Sequence, residues 1–258
     1  MKVSRKLRTS FSNKGNFFFE SALFIIILCY SGAFADDLPL IVIDPGHGGK
    51  DKGASGYYQS TEKQITLALA NRIQKQMNDR YNVVLTREKD EYVPLFERTA
   101  IANNAQALAF ISLHVGASFR LYPQGLRTFV WQSGQGENYY KNELKAGNEI
   151  IPEKRPLLWD HLQRYHLNDS KLLAKCVHNN VLSQINLFDR KIGEAPLLVL
   201  AGADMPAIVI EIAYISRPQS ENNLSRIPYL DKIARGISLG IDLFFKKNSF
   251  DLKKSLQF

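Results

Sequence analysis

Residues 44–49 have the sequence Asp-Pro-Gly-His-Gly-Gly and directly follow the apolar run Leu38–Ile43. An apolar, β-branched run that ends in Asp-Pro-Gly is typical of a buried strand followed by a sharp turn. In open α/β sheets, ligands bind at the carboxyl ends of the strands. The glycines allow other groups to approach the chain closely. The pattern therefore predicts that His47 is placed for chemistry more than for packing.

The first 35 residues have the layout of a cleaved secretory signal. A basic leader precedes the apolar core Leu23–Cys29, and Ala33-Phe34-Ala35 then places small residues ahead of Asp36. An uncleaved membrane anchor is the alternative, but the apolar core is shorter than the roughly 20 residues of a spanning helix. We expect cleavage after Ala35, and a periplasmic or secreted protein without a stable membrane anchor.

Charge and cysteine content narrow the class of partner. The segment 1–35 holds five basic residues and one acidic residue, so it supplies +4 of the formal charge of +8. The mature chain is only mildly basic, which favours no nucleic-acid partner. Cys176 is the one cysteine of the mature chain and cannot form an intramolecular disulfide, so we expect it to fill a helix face. We expect a monomer.

Apolar periodicity predicts strands that alternate with helices over 36–248. The predicted strands are 38–43, 82–86, 107–114, 125–131, 196–200 and 207–212, with 125–131 at an edge. The predicted helices begin at Thr61, at Pro94 with Leu95 facing inward, after a cap at Asp169-Ser170, and at Pro228. This alternation indicates a single α/β domain with a largely parallel sheet.

Two segments interrupt or follow this pattern. Residues 134–169 are polar, contain several glutamates and two prolines, and are too long for an ordinary connection. We treat them as an insert, which is either a lid, a wall of a substrate groove or a mobile loop. Residues 249–258 carry scattered lysines and are expected to form a C-terminal tail that frays.

Four residues could form a metal-dependent catalytic site. His47 and His114 end apolar strands, Glu62 opens a helix, and Glu211 interrupts an apolar strand. Two imidazoles and a carboxylate are the ligands of an open catalytic zinc site, and a further carboxylate could move the proton of a zinc-bound water. A strand-end histidine can also be merely hydrogen-bonded, and a glutamate can complement a helix N-terminus. The residue pattern alone leaves both interpretations open.

Glu211 is the hardest of the four to explain without a functional role. A carboxylate between Ile210 and Ile212 is costly to bury unless it is paired or lies near a metal. The remaining histidines have no such context: His161 and His166 are five residues apart, and His178 lies within a predicted helix. We treat these three histidines as non-ligands.

Several separate motifs resemble those of one enzyme family. Residues 44–54 resemble the opening motif of the zinc-dependent N-acetylmuramoyl-L-alanine amidases, the amidase-3 family. The resemblance continues, in order, at Glu62, Thr86-Arg87, Asp90, Leu95, Arg98, Ala102-Asn103, Phe110–His114, Met205–Glu211 and Ile215-Ser216. It covers essentially the whole mature chain. The chain departs from the family pattern at Val115-Gly116, Ala213 and Arg217, which alters the walls of the site but not its ligands.

The resemblance implies a fold, a cofactor and roles for residues. The fold would be a twisted mixed sheet with helices on both faces. His47, Glu62 and His114 would be the Zn²⁺ ligands, and Glu211 would be the catalytic carboxylate. Some relatives carry a regulatory insert where this chain has 134–169, which would imply a protein activator.

The implied function is a secreted zinc hydrolase of peptidoglycan. It would cleave the amide between N-acetylmuramic acid and L-alanine during cell-wall remodelling or cell separation. Two alternatives stay open, namely a zinc peptidase that acts on the stem peptide and a non-catalytic wall-binding protein.

Overall fold

The computed structural model describes residues 38–118, 124–132 and 162–255, with side chains up to residue 248. The expected signal segment 1–35 and most of the 134–169 insert lie outside the described residues. Leu167–Asp169, which the sequence places in the insert, form the start of a helix. None of the helices in the described residues is long and apolar enough to cross a membrane.

Six strands of the described chain form one mixed sheet. In chain order they are β1 (Leu40–Pro45), β2 (Asn82–Leu85), β3 (Phe110–Gly116), β4 (Leu126–Trp131), β5 (Asp189–Ala195) and β6 (Ala207–Tyr214). Their order across the sheet is β2-β1-β3-β6-β4-β5. Strand β4 runs antiparallel to β6, and the other neighbours are parallel. The predicted α/β fold with a mostly parallel mixed sheet is confirmed.

Five α-helices that lie entirely within the described residues connect or follow these strands. They are α1 (Glu62–Met77), α2 (Leu95–Asn104), α3 (Leu167–Gln184), α4 (Pro218–Leu224) and α5 (Ile227–Ser255), and Leu198–Leu200 forms one 3₁₀ turn. Thr61 caps α1, where its backbone N–H donates to the Gln64 side chain at 3.2 Å. Helix α5 continues through much of the segment 249–258 that was expected to form a tail.

The sheet separates two apolar cores. The larger core lies between the sheet and α1, α3 and α5, where Leu69, Val177 and Ile237 are fully buried. The smaller core packs α2 and the 3₁₀ turn against the opposite face, through residues such as Ala102 and Leu200. Cys176 is buried in the larger core from α3, as expected. Helices therefore cover both faces, as in the predicted architecture.

Two local predictions were wrong, and one strand was missed. Strand β4 is not an edge strand, because β5 pairs with it on the outside. Strand β5 is mostly polar, with the sequence Asp-Arg-Lys-Ile-Gly-Glu-Ala, and none of its residues is fully buried, so it lacks the apolar signal of a strand. The apolar run 196–200 instead forms the 3₁₀ turn and covers the smaller core.

Two side chains also behave differently from their predicted roles. Ser170 does not cap a helix but lies inside α3, where its buried Oγ accepts a hydrogen bond from the backbone N–H of Ala207 at 3.0 Å. This bond joins α3 to the start of β6. Leu95 is exposed, and Arg98 takes the inward position on α2 instead.

A buried ion pair anchors the chain just before His47. Asp44 is fully buried, and its Oδ1 accepts from Arg98 Nη1 at 2.7 Å and from Thr86 Oγ1 at 2.5 Å. Its Oδ2 accepts from Ser112 Oγ at 2.6 Å. A buried carboxylate needs such partners, because an unpaired one is strongly unfavourable. The pair joins α2 to β1 at the carboxyl end of the sheet.

Two buried arginines hold the turn that follows. Arg98 also donates to the carbonyls of Pro45 and His47, both at 3.0 Å. Arg87 donates to the carbonyls of Pro45 and Gly46, again at 3.0 Å. These bonds satisfy carbonyl groups that the sheet leaves unpaired where the strand ends. The two arginines therefore fix the backbone that presents His47.

We predict that Arg98→Met will strongly destabilise the fold, because it leaves the Asp44 carboxylate buried without its charge partner. The free energy of unfolding should fall by about 3–5 kcal/mol, measured by urea denaturation. The control is Lys89→Met, which removes the exposed ion pair with Glu91 and should cost less than about 1 kcal/mol. Equal losses in both variants would contradict this account.

Candidate active site

Three separate elements bring His47, Glu62 and His114 together. His47 follows β1, His114 lies near the carboxyl end of the adjacent strand β3, and Glu62 is the first residue of α1. Parallel neighbours end at the same edge of a sheet, so the two imidazoles meet there. The three side chains offer ligand atoms that all lie within 4.8 Å of one another.

The Glu62 carboxylate lies between the two imidazoles. Its Oε2 is 3.1 Å from His47 Nε2, and its Oε1 is 3.0 Å from His114 Nδ1. The ring centroids of the two histidines are 5.0 Å apart and nearly perpendicular. Ligands of a tetrahedral zinc ion at about 2.0–2.2 Å are themselves separated by about 3.4 Å. The donor types and their spacing therefore fit a zinc ion.

Backbone and side-chain contacts orient these donors. Glu62 accepts hydrogen bonds from the backbone N–H groups of Ala54 at 2.9 Å and Val115 at 2.8 Å. His47 Nδ1 lies 2.8 Å from Asp51 Oδ2, which leaves Nε2 facing Glu62. A carboxylate behind an imidazole fixes the orientation and increases the basicity of a metal-binding histidine. This role of Asp51 was not predicted, and its only signal in the sequence is its position four residues after His47.

The electrostatics favour an ionised carboxylate at the centre. Burial alone would raise the pKa of Glu62, but hydrogen bonds and charge from His114 and His47 hold it well below its ordinary value. Burial likewise lowers the pKa of His47, and the partners Glu62 and Asp51 outweigh it and raise that pKa. Glu62 is thus anionic at neutral pH, as a cation ligand must be.

Glycines make the close approach of these groups possible. A Cβ atom on Gly53 would lie 2.5 Å from His47 Cδ2 and 2.6 Å from Glu62 Oε2, and Gly53 has a φ of +62°. A Cβ atom on Gly46 would lie 2.5 Å from His114 Cε1. Neither position has room for a larger residue without moving a candidate ligand.

Glu211 is beside the cluster but not part of it. It is half-buried in β6, and it is the register partner of His114 on β3. Burial raises the pKa of Glu211, while the charges of His114 and Arg127 oppose that rise. A carboxyl group with a raised pKa, next to a metal site, is suited to exchanging protons.

A cavity of about 210 Å³ opens onto the two imidazoles. Besides His47 and His114, its lining includes Tyr92, Leu95 and Val199. The exposure of Leu95 therefore has a structural context, because this side chain borders the cleft instead of the core. The cleft offers an apolar wall beside the candidate metal site.

The other described histidines have hydrogen-bonding roles elsewhere. His178 is buried in α3 and contacts Thr128 Oγ1 and Asp189 Oδ1, both at 2.9 Å, which joins the helix to β4 and to β5. His166 lies 3.1 Å from Asp204. His161 lies outside the described residues.

Glu221 makes a contact that was not predicted. It lies in α4 and accepts hydrogen bonds from the backbone N–H groups of Tyr58 and Ser60, in the loop before α1.

We predict that Gly53→Ala will weaken metal binding. The added methyl group would push against both His47 and Glu62, in a backbone conformation that alanine rarely adopts. The affinity for Zn²⁺, measured by competition with a chromogenic chelator, should fall about tenfold or more. The control is Ser55→Ala, an exposed position in the same loop, which should keep the wild-type affinity. Unchanged affinity in Gly53→Ala would mean that the three side chains do not bind the ion.

Comparison with known proteins places this chain in a family. The sequence profile described as N-acetylmuramoyl-L-alanine amidase, amidase-3, matches residues 41–242. The chain is similar to the amidase AmiC of Escherichia coli O6:H1, with 29% identity over 83% of this chain and 55% of AmiC. It is 27% identical to AmiA of Escherichia coli K12, over 84% of this chain and 78% of AmiA. The chain thus spans just over half of AmiC.

Solved structures of N-acetylmuramoyl-L-alanine amidases are also similar to this chain. AmiC2 of Nostoc punctiforme superposes with a TM-score of 0.63 and 28% identity, over 81% of this chain and 97% of that one. The N-acetylmuramoyl-L-alanine amidase of Clostridium difficile 630 superposes with a TM-score of 0.66 and 27% identity, over 81% and 98%. The profile match covers well over half of the chain and includes all four candidate site residues. The chain therefore belongs to the amidase-3 family of N-acetylmuramoyl-L-alanine amidases.

Proposed function

We propose that this chain is a secreted zinc-dependent amidase that cleaves the bond between N-acetylmuramic acid and L-alanine in peptidoglycan. The observation that carries the proposal is the His47, Glu62 and His114 cluster with Glu211 on the adjacent strand. Family membership and the names of the relatives support the amide as the substrate bond. The signal-like segment 1–35 supports export to the compartment that contains this polymer.

The four residues would have distinct roles. His47, Glu62 and His114 would hold the zinc ion, which when bound supplies a Lewis acid and an acidified water. Glu211 would accept a proton from the attacking water and deliver it to the nitrogen of the departing L-alanine. Asp51 would hold the His47 ring in the orientation that presents Nε2. The apolar cleft wall at Leu95 and Val199 would exclude bulk water on one side.

Product analysis tests the proposal against its alternatives. The chain is incubated with a defined muropeptide, and the products are identified by mass spectrometry. An amidase releases the intact stem peptide from the glycan, whereas a zinc peptidase cuts within the stem and leaves L-alanine attached. A wall-binding protein without catalysis would pull down with sacculi and release neither product. Cleavage of the muramoyl amide, lost on chelation and restored by Zn²⁺, is the expected result.

We predict that Glu211→Gln will separate metal binding from chemistry. Turnover should fall by about 10²-fold or more, because glutamine cannot accept the proton, while the zinc content stays near wild type. His47→Ala should instead lose zinc and activity together. Zinc is measured by mass spectrometry of the purified protein, and turnover by release of the stem peptide.

The matched control for this pair is Glu194→Gln. It removes an exposed carboxylate at the far end of β5 that pairs with Lys171, and should leave both zinc content and turnover unchanged. If Glu211→Gln keeps most of the wild-type turnover, Glu211 is not the proton carrier. If it loses zinc as completely as His47→Ala does, it is a ligand instead.

A further inference from the structure

A row of charged side chains continues past the metal cluster along the same edge of the sheet. His114 is the register partner of Glu211 across β3 and β6, and Arg127 is the register partner of Glu211 across β6 and β4. Directly opposed residues of neighbouring strands project from the same face. This face therefore presents an imidazole, a carboxylate and a guanidinium in order, on three adjacent strands.

The edge strand β5 adds a second guanidinium. The guanidinium carbon of Arg190 lies 4.9 Å from the centroid of the Tyr214 ring, and that of Arg127 lies 4.5 Å from the centroid of Phe129. Stacking on an aromatic face orients a guanidinium without using its N–H donors. Both arginines are half-buried, and both act electrostatically on Glu211.

Neither arginine forms a salt bridge in the part of the chain that the structure describes, although both sense the charge of Glu211. There, no carboxylate forms an ion pair with either side chain, and the buried Nε of Arg127 has no hydrogen-bond partner. A buried donor without a partner is unfavourable. A planar guanidinium matches the two oxygens of a carboxylate, so the pair fits an anionic group of this shape.

We propose that Arg127 and Arg190 form an anion subsite that binds a free carboxylate on the second residue of the stem peptide, on the leaving-group side of the scissile amide. The proposal rests on the amidase function proposed above and names a determinant of substrate choice. It assigns the peptide a direction, running from the metal cluster past Glu211 toward β5.

The spacing of the strands agrees with this placement. Neighbouring strands are about 4.8 Å apart, so β4 lies about 10 Å from the strand that carries His114. An extended peptide advances about 3.3 Å per residue, and a side carboxylate and the arginine side chain cover the remaining distance. A carboxylate two residues from the reacting bond can therefore reach Arg127, with Arg190 one strand further.

The subsite should distinguish a carboxylate from a carboxamide. Conversion of the stem carboxylate to an amide removes the charge and one acceptor oxygen, and turns the other position into a donor that faces guanidinium donors. The charge-assisted hydrogen bonds are then lost. We therefore expect the chain to prefer peptidoglycan in which the second stem residue keeps its free carboxylate.

The test uses two muramoyl tripeptides that differ only in this group, free or amidated. For the wild type, we expect kcat/KM to be about tenfold or more higher on the free carboxylate. Arg127→Gln should remove this preference by raising KM on the carboxylate substrate, with little change on the amidated one. Arg190→Gln should act in the same direction, and Arg127→Lys should keep part of the preference. The exposed Arg235→Gln on α5 is the control and should match the wild type.

Two kinetic outcomes would overturn the proposal. One is a wild type that cleaves both substrates equally well. The other is an equal loss on both substrates in Arg127→Gln, mainly in kcat, which would mean that the arginine acts only through Glu211. Either result leaves the amidase function itself intact, since cleavage is still observed.

Binding without turnover separates this proposal from the amidase function. Calorimetry compares the two free stem tripeptides, carboxylate and amide, on the full chain. Tighter binding of the carboxylate peptide by about tenfold, lost in Arg127→Gln, supports the anion subsite even if no amide is cleaved. Equal binding of the two peptides overturns the subsite, whatever the hydrolysis assay shows.

Discussion

The buried ion pair between Asp44 and Arg98 is the interaction on which the candidate site depends. Asp44 closes β1, and its two oxygens are shared among α2, β3 and the segment after β2. A charge in this position is tolerated only because every acceptor is satisfied. The same arginine then holds the carbonyl of His47. Arg98 thus links the buried charge of Asp44 to the backbone of the candidate ligand His47.

The register of the sheet determines which side chains lie beside the candidate site. Register pairing places His114, Glu211 and Arg127 on one face, because β3 and β6 are parallel and β4 lies antiparallel to β6. The reversal of β4 brings its first residues, instead of its last, to the edge that carries the candidate site. A parallel β4 would have brought its end at Trp131 there.

Much of the fold could be predicted from periodicity, because β1, β3 and β6 are apolar on both faces and α1 has a clear apolar stripe. Strand β5 could not, since an edge strand faces water and carries polar residues. The inward turn of Arg98 was equally hidden, because its partner Asp44 is 54 residues away and only the folded chain joins them.

The four candidate site residues could be predicted from the sequence, but the neighbouring side chains that contact them could not. His47 and His114 are identified by their positions at strand ends, and Glu211 by its position within an apolar strand. The contact from Asp51 to His47 depends on the left-handed backbone at His47. The arginines beside Glu211 also escape sequence reasoning. Arg127 lies beside Glu211 only because β4 pairs with β6 in this register. The register follows from the strand order, which apolar patterns do not encode.

The three candidate ligands come from distant parts of the chain, and Glu62 and His114 are 52 positions apart. An ion that holds them would act as a staple across β1, β3 and α1, in addition to any role in hydrolysis. An ion that binds only the folded state stabilises it by about 2.7 kcal/mol at a hundredfold excess over its dissociation constant. Resistance of the folded chain to proteases would then depend on the local supply of the ion. Metal scarcity would shorten the lifetime of the protein as well as silence it.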